Sequence, residues 1–255
     1  MTTPTTTART QRPPELSGQT LLVIGGSAGI GLETARRARA EGADVILTAR
    51  NPQRLERVAD ELGALRSAAF DATDTDQLDR FFADLPTPID HVLVTAGEPH
   101  YEALADMDFS RARRFLDQHL MLPLQVARNA VGRIRPGGTL LFVGGTGARR
   151  PAVGLTLGSA VTVGLPALVA SLALEIAPIR VNLIAAGFVD IPLSASILGD
   201  QLDARRAELR DTLPIGRVVG PADVAALAVH LMANTALTGA TYDIDGGQQL
   251  LPRGV

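Results

Sequence analysis

LLVIGGSAGIGLETA, residues 21–35, places an apolar run, a glycine-rich turn and a helix-like stretch in immediate succession. LLVI has no polar member, as expected of a strand covered on both faces. Gly25 permits the tight turn that follows it. Gly29 lets the backbone approach a diphosphate, and Gly31 lets the following helix pack on the strand. Ser27, Ala28 and Ile30 complete the turn and are counted with it as ligand-binding positions. Free N–H groups and the positive end of a helix attract an anion at such a turn. The strand before and the helix after supply the context that a lone glycine pattern lacks. A purely structural strand–helix turn is the competing reading.

Working outward, strand-like and helix-like runs alternate along the chain. TLLVI (20–24), DVILT (44–48), RSAAF (66–70), HVLVT (91–95), TLLFV (139–143), RVNLI (180–184) and TYDID (241–245) read as strands. Helices are expected near 30–41, 52–62, 75–83, 109–133, up to about 176, within 193–212 and at 221–232. Right-handed β-α-β crossovers then give an α/β, Rossmann-type doubly wound parallel sheet of about seven strands, with helices on both faces. No repeat or linker interrupts the pattern, so residues 17–255 read as one domain. Residues 1–16, rich in Thr and Pro, read as a disordered tail without a secretory apolar region.

Composition removes several chemistries. There is no cysteine, so disulfides, thiolate nucleophiles and Cys-based metal sites are excluded. All 24 basic residues are Arg. A lysine Schiff base and a phosphate-binding lysine are therefore impossible. The net charge of −3 gives no reason to expect nucleic acid. No His/Asp/Glu spacing suggests a metal. Residues 151–174 carry no charge and are long enough to span a bilayer. Their Gly and Pro content, and their place between strands, favour a helix buried in the core or between subunits.

The GxxxGxG spacing of Gly25, Gly29 and Gly31 resembles the short-chain dehydrogenase/reductase family. The resemblance runs from about residue 17 to 250. Asp71 with Ala72 looks like that family's adenine-contacting segment, although Asp71 also suits a cap on the next helix. Ala96–Gly97 is similar to the second half of its Asn-Asn-Ala-Gly motif. RVNLIAAGFVDIP (180–192), with Gly187, and PADVAALAVHLMA…LTGATYDIDGG match later family segments. The resemblance implies a nicotinamide dinucleotide. After the second strand, where an NAD site places an acid, the chain has Thr48, Ala49, Arg50 and Asn51. Arg50 can fork onto a 2′-phosphate, which favours NADP(H).

The same alignment leaves the centre blank. The family's Ser, Tyr, Lys and Asn fall on Gly145, Gly158, Thr162 and His119. No shift of register restores the pair, because the chain has no Lys and its tyrosines are Tyr101 and Tyr242. Gly145 and Gly158 are expected to face each other across a cleft. Val94 and Thr95 replace the Asn pair, Ala186 a Pro and Ile191 a Thr, which weakens the expected grip on the nicotinamide half. His119 is the leading substitute for the lost proton chemistry. Tyr101 in GEPHY (97–101) is the other, with Glu98 and His100 also in reach. The readings are an NADP(H)-dependent oxidoreductase acting on a carbonyl, imine or enone by altered proton chemistry, or an inactive NADP(H)-binding sensor or silent subunit. A cofactor-free lyase or isomerase ranks last. A small-molecule substrate, a cytoplasmic location and a homodimer or homotetramer complete the expectation.

Overall fold

A computed structural model describes residues 15–86 and 88–251. The expected tail, residues 1–16, therefore lies outside the described residues except at its end. There Leu16 is fully buried in the core, so the folded unit begins earlier than residue 17.

Seven strands form one parallel sheet: β1 Thr20–Ile24, β2 Asp44–Ala49, β3 Arg66–Ala69, β4 Ile89–Val94, β5 Ile134–Gly145, β6 Arg180–Ala186 and β7 Thr241–Ile244. Their order is β3-β2-β1-β4-β5-β6-β7. The strand order reverses between β1 and β4, and such a switch opens a crevice at the carboxyl ends of the strands. The apolar runs recognised in the sequence are the buried centres of these strands. β4 and β6 are buried at every position, because helices cover both faces.

One face packs through Leu22, Ile24, Phe82, Val92, Phe142 and Val169, the other through Leu21, Val23, Val45, Leu93, Ile184 and Val229. Odd and even positions of β1 thus enter different cores, as the period-2 pleat requires. The helices are α1 Gly29–Ala40, α2 Pro52–Leu62, α3 Thr75–Ala83, α4 Phe109–Leu116, α5 Leu122–Ala130, α6 Thr156–Glu175, α7 Pro192–Leu198, α8 Leu202–Thr212 and α9 Pro221–Ala233.

Two helices differ from the sequence expectation. The single helix read at 109–133 is α4 and α5 joined by a π-helical turn over Asp117–Met121. The uncharged stretch 151–174 begins as a turn, with Gly154 at φ +83, and becomes helix only at Thr156. Helix α6 is long and apolar enough to cross a membrane. It connects two adjacent parallel strands, β5 and β6, and lays Val161, Leu165, Val169 and Leu172 on them. Val163 and Leu174 on its other side are exposed. The expectation of a helix buried all round therefore holds in this chain for one face only.

Candidate functional site

The β1–α1 turn is built by backbone contacts that only glycine tolerates. Gly25 has φ +100, and a Cβ there would lie 2.6 Å from Thr95 Oγ1. A Cβ on Gly31 would lie 2.3 Å from the Gly25 carbonyl oxygen. Gly31 therefore serves the turn itself as much as helix-to-sheet packing. Thr95 donates its hydroxyl to the Gly25 carbonyl at 3.1 Å, so this residue locks the turn. From sequence alone Thr95 reads only as a departure from the Asn pair.

Helix α1 starts after Ala28 with no side-chain cap and no acid in its first turn. Its first N–H groups are left for an external acceptor, the arrangement that holds a diphosphate. Gly29 opens the helix at φ +55. Its missing Cβ would sit 3.5 Å from Ile191, so Ile191 packs against the turn. These features fit a dinucleotide.

A cavity of about 1060 Å³ runs from this turn across the carboxyl ends of β2, β3, β4, β5 and β6. Gly25, Ser27, Ala28, Gly29, Ile30, Arg50, Asn51, Asp71, Ala72, Ala96, Gly97 and Gly187 all line it. So do Tyr101, His119, Gly145, Gly158 and Thr162. Gly31 lies beneath the turn and does not face the cavity. The fold thus brings together nearly every position the sequence had singled out.

At one end, Arg50 Nη2 donates to Glu98 Oε1 at 2.6 Å. Asn51 accepts the Arg54 amide at 2.8 Å and caps α2, so its carboxamide oxygen is already occupied. Asp71 does not cap α3; Asp74 does, by accepting the Gln77 amide. Asp71 instead accepts from the Thr73 hydroxyl at 2.7 Å and the Thr73 amide at 3.0 Å. Burial alone would raise the Asp71 pKa. The two Thr73 hydrogen bonds, with Arg114 and Arg50, bring it below the ordinary value.

At the other end, the π-turn presents His119 to the cavity. Such turns often mark functional positions, because the extra residue re-aims side chains. His119 Nδ1 lies 2.9 Å from the Phe115 carbonyl oxygen. A carbonyl only accepts, so Nδ1 carries the hydrogen and Nε2 is left as an acceptor. Burial lowers the His119 pKa, and the bond to Phe115 offsets this in part. His119 is therefore neutral at pH 7: it can take a proton and cannot readily give one. A Cβ on Gly97 would lie 3.0 Å from the His119 ring, so Gly97 is the residue that makes room for it.

Tyr101 sits at the rim and is 65% exposed. Desolvation raises its phenol pKa, so it remains protonated at neutral pH. His100 is more enclosed than Tyr101. Its ring stacks near Phe115 at 5.7 Å, and its Nε2 is 3.5 Å from Glu102 Oε2 without a hydrogen bond. Glu102 also holds Arg111 and the Asp108 amide, and its own amide donates to the Gly154 carbonyl. The 98–102 loop is thereby docked onto the start of α6.

Gly145 and Gly158 both face the cavity but do not touch. A Cβ on Gly158 would meet Ala148 at 3.4 Å and the His100 carbonyl at 3.9 Å; one on Gly145 would meet nothing nearer than 3.8 Å. Gly187 is different: its Cβ would collide with Asp245 at 2.6 Å. Among the described residues no group of three His, Asp or Glu could hold a metal. Sequence reasoning missed Thr95 as a buttress, Gln118 as the acceptor of the Glu98 amide, and Gln248 as the acceptor of the Phe188 amide. Gln118 sits immediately before His119 in DQHLML (117–122), which was the available signal. Gln248 had none.

Known proteins place this architecture. Residues 25–249 match the family model described as Enoyl-(Acyl carrier protein) reductase. The short-chain dehydrogenase/reductase ATR9 of Stachybotrys chlorohalonatus is 29% identical, over 92% of this chain and 98% of the relative. The short-chain dehydrogenase/reductase malC of Malbranchea aurantiaca is 27% identical, over 92% and 96%. The structure of MalC Reductase/Diels-Alderase from the same organism superposes with a TM-score of 0.85 at 26% identity, covering 94% of this chain and 99% of that one. Sheet order, glycine turn and these matches agree: the chain belongs to the short-chain dehydrogenase/reductase family, whose members are oxidoreductases that use nicotinamide nucleotides.

Proposed function

We propose that this protein is an NADP(H)-dependent oxidoreductase in which the family's proton-relay side chains have been replaced. The observation that carries the reading is the single cavity joining the uncapped glycine turn to Gly145, Gly158, Thr162 and His119. Ser27–Ile30 and Gly25 would hold the diphosphate, Asp71, Ala72, Ala96 and Gly97 the adenosine half, Arg50 the 2′-phosphate, and Gly187 the nicotinamide side. When bound, the reduced nicotinamide supplies a hydride to the substrate.

The chain's own residues would then orient the acceptor and handle any proton. General acid–base help is worth about 10²–10⁴ in rate. With glycines at 145 and 158 and no lysine anywhere, ordinary ketone reduction loses that help. His119 as an acceptor can position a hydroxyl, an N–H or a water. Protonated Tyr101 at the rim is one donor the cavity offers. A cationic imine fits this site best among carbonyl, imine and enone substrates. Hydride addition to its carbon sends the π pair to nitrogen and leaves a neutral amine, so no proton is required.

The test follows NADPH absorbance with a panel of ketones, enones and cyclic iminium salts. Turnover of an iminium, faster than of the matched ketone and reduced by His119→Ala, supports the reading. An untouched NADPH signal across the panel contradicts it.

A second reading, an NADP(H)-binding member without turnover, is favoured by the commitment of His119 Nδ1 to Phe115. It predicts nucleotide binding with no consumption. In either case the exposed apolar side chains Met121 and Leu124 beside α5, and Val163 and Leu174 on α6, suit burial in a homodimer or homotetramer. Sedimentation would report the state. A cytoplasmic, soluble protein acting without nucleic acid accords with this reading.

A further inference from the structure

The sheet order puts β1 between β2 and β4. Arg50 follows β2 and Glu98 follows β4, so their 2.6 Å ion pair crosses above the end of β1, where the glycine turn begins. Both residues line the cavity. The Glu98 backbone is held in place, since its amide donates to Gln118 Oε1 at 3.1 Å, and Gln118 is buried. Its side chain therefore reaches back over the crevice from a fixed base.

Four ionised side chains line this end: Arg50 and Arg54 against Asp71 and Glu98. Their charges balance. Arg114 and Arg50 both act on Asp71 from a distance, and Glu98 is the carboxylate that Arg50 holds directly. A dianionic phosphate arriving here meets a guanidinium already committed to an acid.

We infer that Glu98 is an intramolecular competitor for the 2′-phosphate site, a carboxylate that occupies Arg50 until a phosphorylated nucleotide displaces it. The inference rests on the assignment of Arg50 to that phosphate. Glu98 then lowers NADP(H) affinity and narrows the preference over NAD(H) that the residues after β2 favour. Both partners are about half exposed, so the pair is a modest one. An exposed ion pair of this kind corresponds to roughly a two- to fivefold change in a binding constant.

The test is calorimetric titration of wild type, Glu98→Gln, Arg50→Ala and the double variant with NADPH and with NADH, at low and moderate salt. Glu98→Gln should tighten NADPH roughly two- to fivefold and change NADH less. The gain should shrink as salt rises and vanish in the Arg50→Ala background. An unchanged or weaker NADPH affinity in Glu98→Gln overturns the inference, as does an equal gain for NADH. The parent assignment fails separately: Arg50→Ala would then leave NADPH affinity intact. Should wild type bind neither nucleotide, both fall. Unchanged melting temperatures in the variants exclude misfolding as the cause.

Discussion

Glycine is used for opposite reasons at the two ends of the cavity. At the β1–α1 turn a methyl group has nowhere to go: Gly31 would place it 2.3 Å from a backbone oxygen, and Gly25 stands at positive φ against Thr95. At the far end Gly145 and Gly158 have ordinary backbone angles, and a Cβ on either meets only van der Waals neighbours. The first pair is dictated by the fold. The second pair is not. This difference separates a turn that must stay as it is from a cavity wall that has room to change.

The largest expected effect comes from filling the far end. Gly145→Ser, Gly158→Tyr and Thr162→Lys together should create reduction of a simple ketone by about 10²–10⁴-fold over wild type, followed as NADPH oxidation. No gain in a folded variant would mean that the position of Gly158 beside Ala148 and His100, and not the lost groups, limits the site.

Next is the near end. Gly31→Ala should lower stability by ~3 kcal/mol and abolish NADPH binding, because the clash is with backbone and cannot relax through a side chain. Gly145→Ala should stay within about 0.5 kcal/mol. Denaturant unfolding of both variants decides this. Equal losses would erase the contrast between the two ends.

A buried histidine outside the cavity sharpens the same distinction. His91, far from the cavity beneath Gln19, is pushed down to about 4 by burial, with Asp90 opposing. A histidine whose folded pKa lies below its unfolded value takes up protons on unfolding. Stability is therefore complete above about pH 6.5 and falls as pH drops toward 4, by ~3 kcal/mol for this residue. His91→Gln should flatten that acid limb in urea unfolding at pH 7, 5.5 and 4, while NADPH affinity stays the same. An unchanged slope would show that other groups govern acid stability.

The smallest effect is a gain. Gly158→Ala sits within α6 with 3.4 Å to its nearest neighbour and should raise stability by about 0.5–1 kcal/mol. Its melting temperature should rise, and a fall would mean that Gly158 is packed against something essential.

Much of this was legible in the sequence because strands buried on both faces leave unbroken apolar runs. β1 and β7 begin where the residues said they would, and α2 and α3 have the expected bounds. The interruption of the long helix was not legible. A π-turn adds one residue to a turn without changing composition, so 109–133 reads as a continuous helix even though the turn is what aims His119. The partner of Arg50 was also hidden. Glu98 lies 48 residues away, and its reach across β1 follows only from the strand order. Leu16 read as part of a polar tail because a single apolar residue carries no periodicity, yet the fold buries it completely.

The central claim is that the turn at Gly25–Gly31 holds a nicotinamide dinucleotide and that Arg50 selects its phosphorylated form. Titration calorimetry of the wild-type protein with NADPH, NADP⁺, NADH and NAD⁺ tests it most directly. The account predicts saturable heats for the phosphorylated pair at lower concentration than for the other two. Silence from all four at millimolar nucleotide, or tighter binding of NADH than of NADPH, would contradict it.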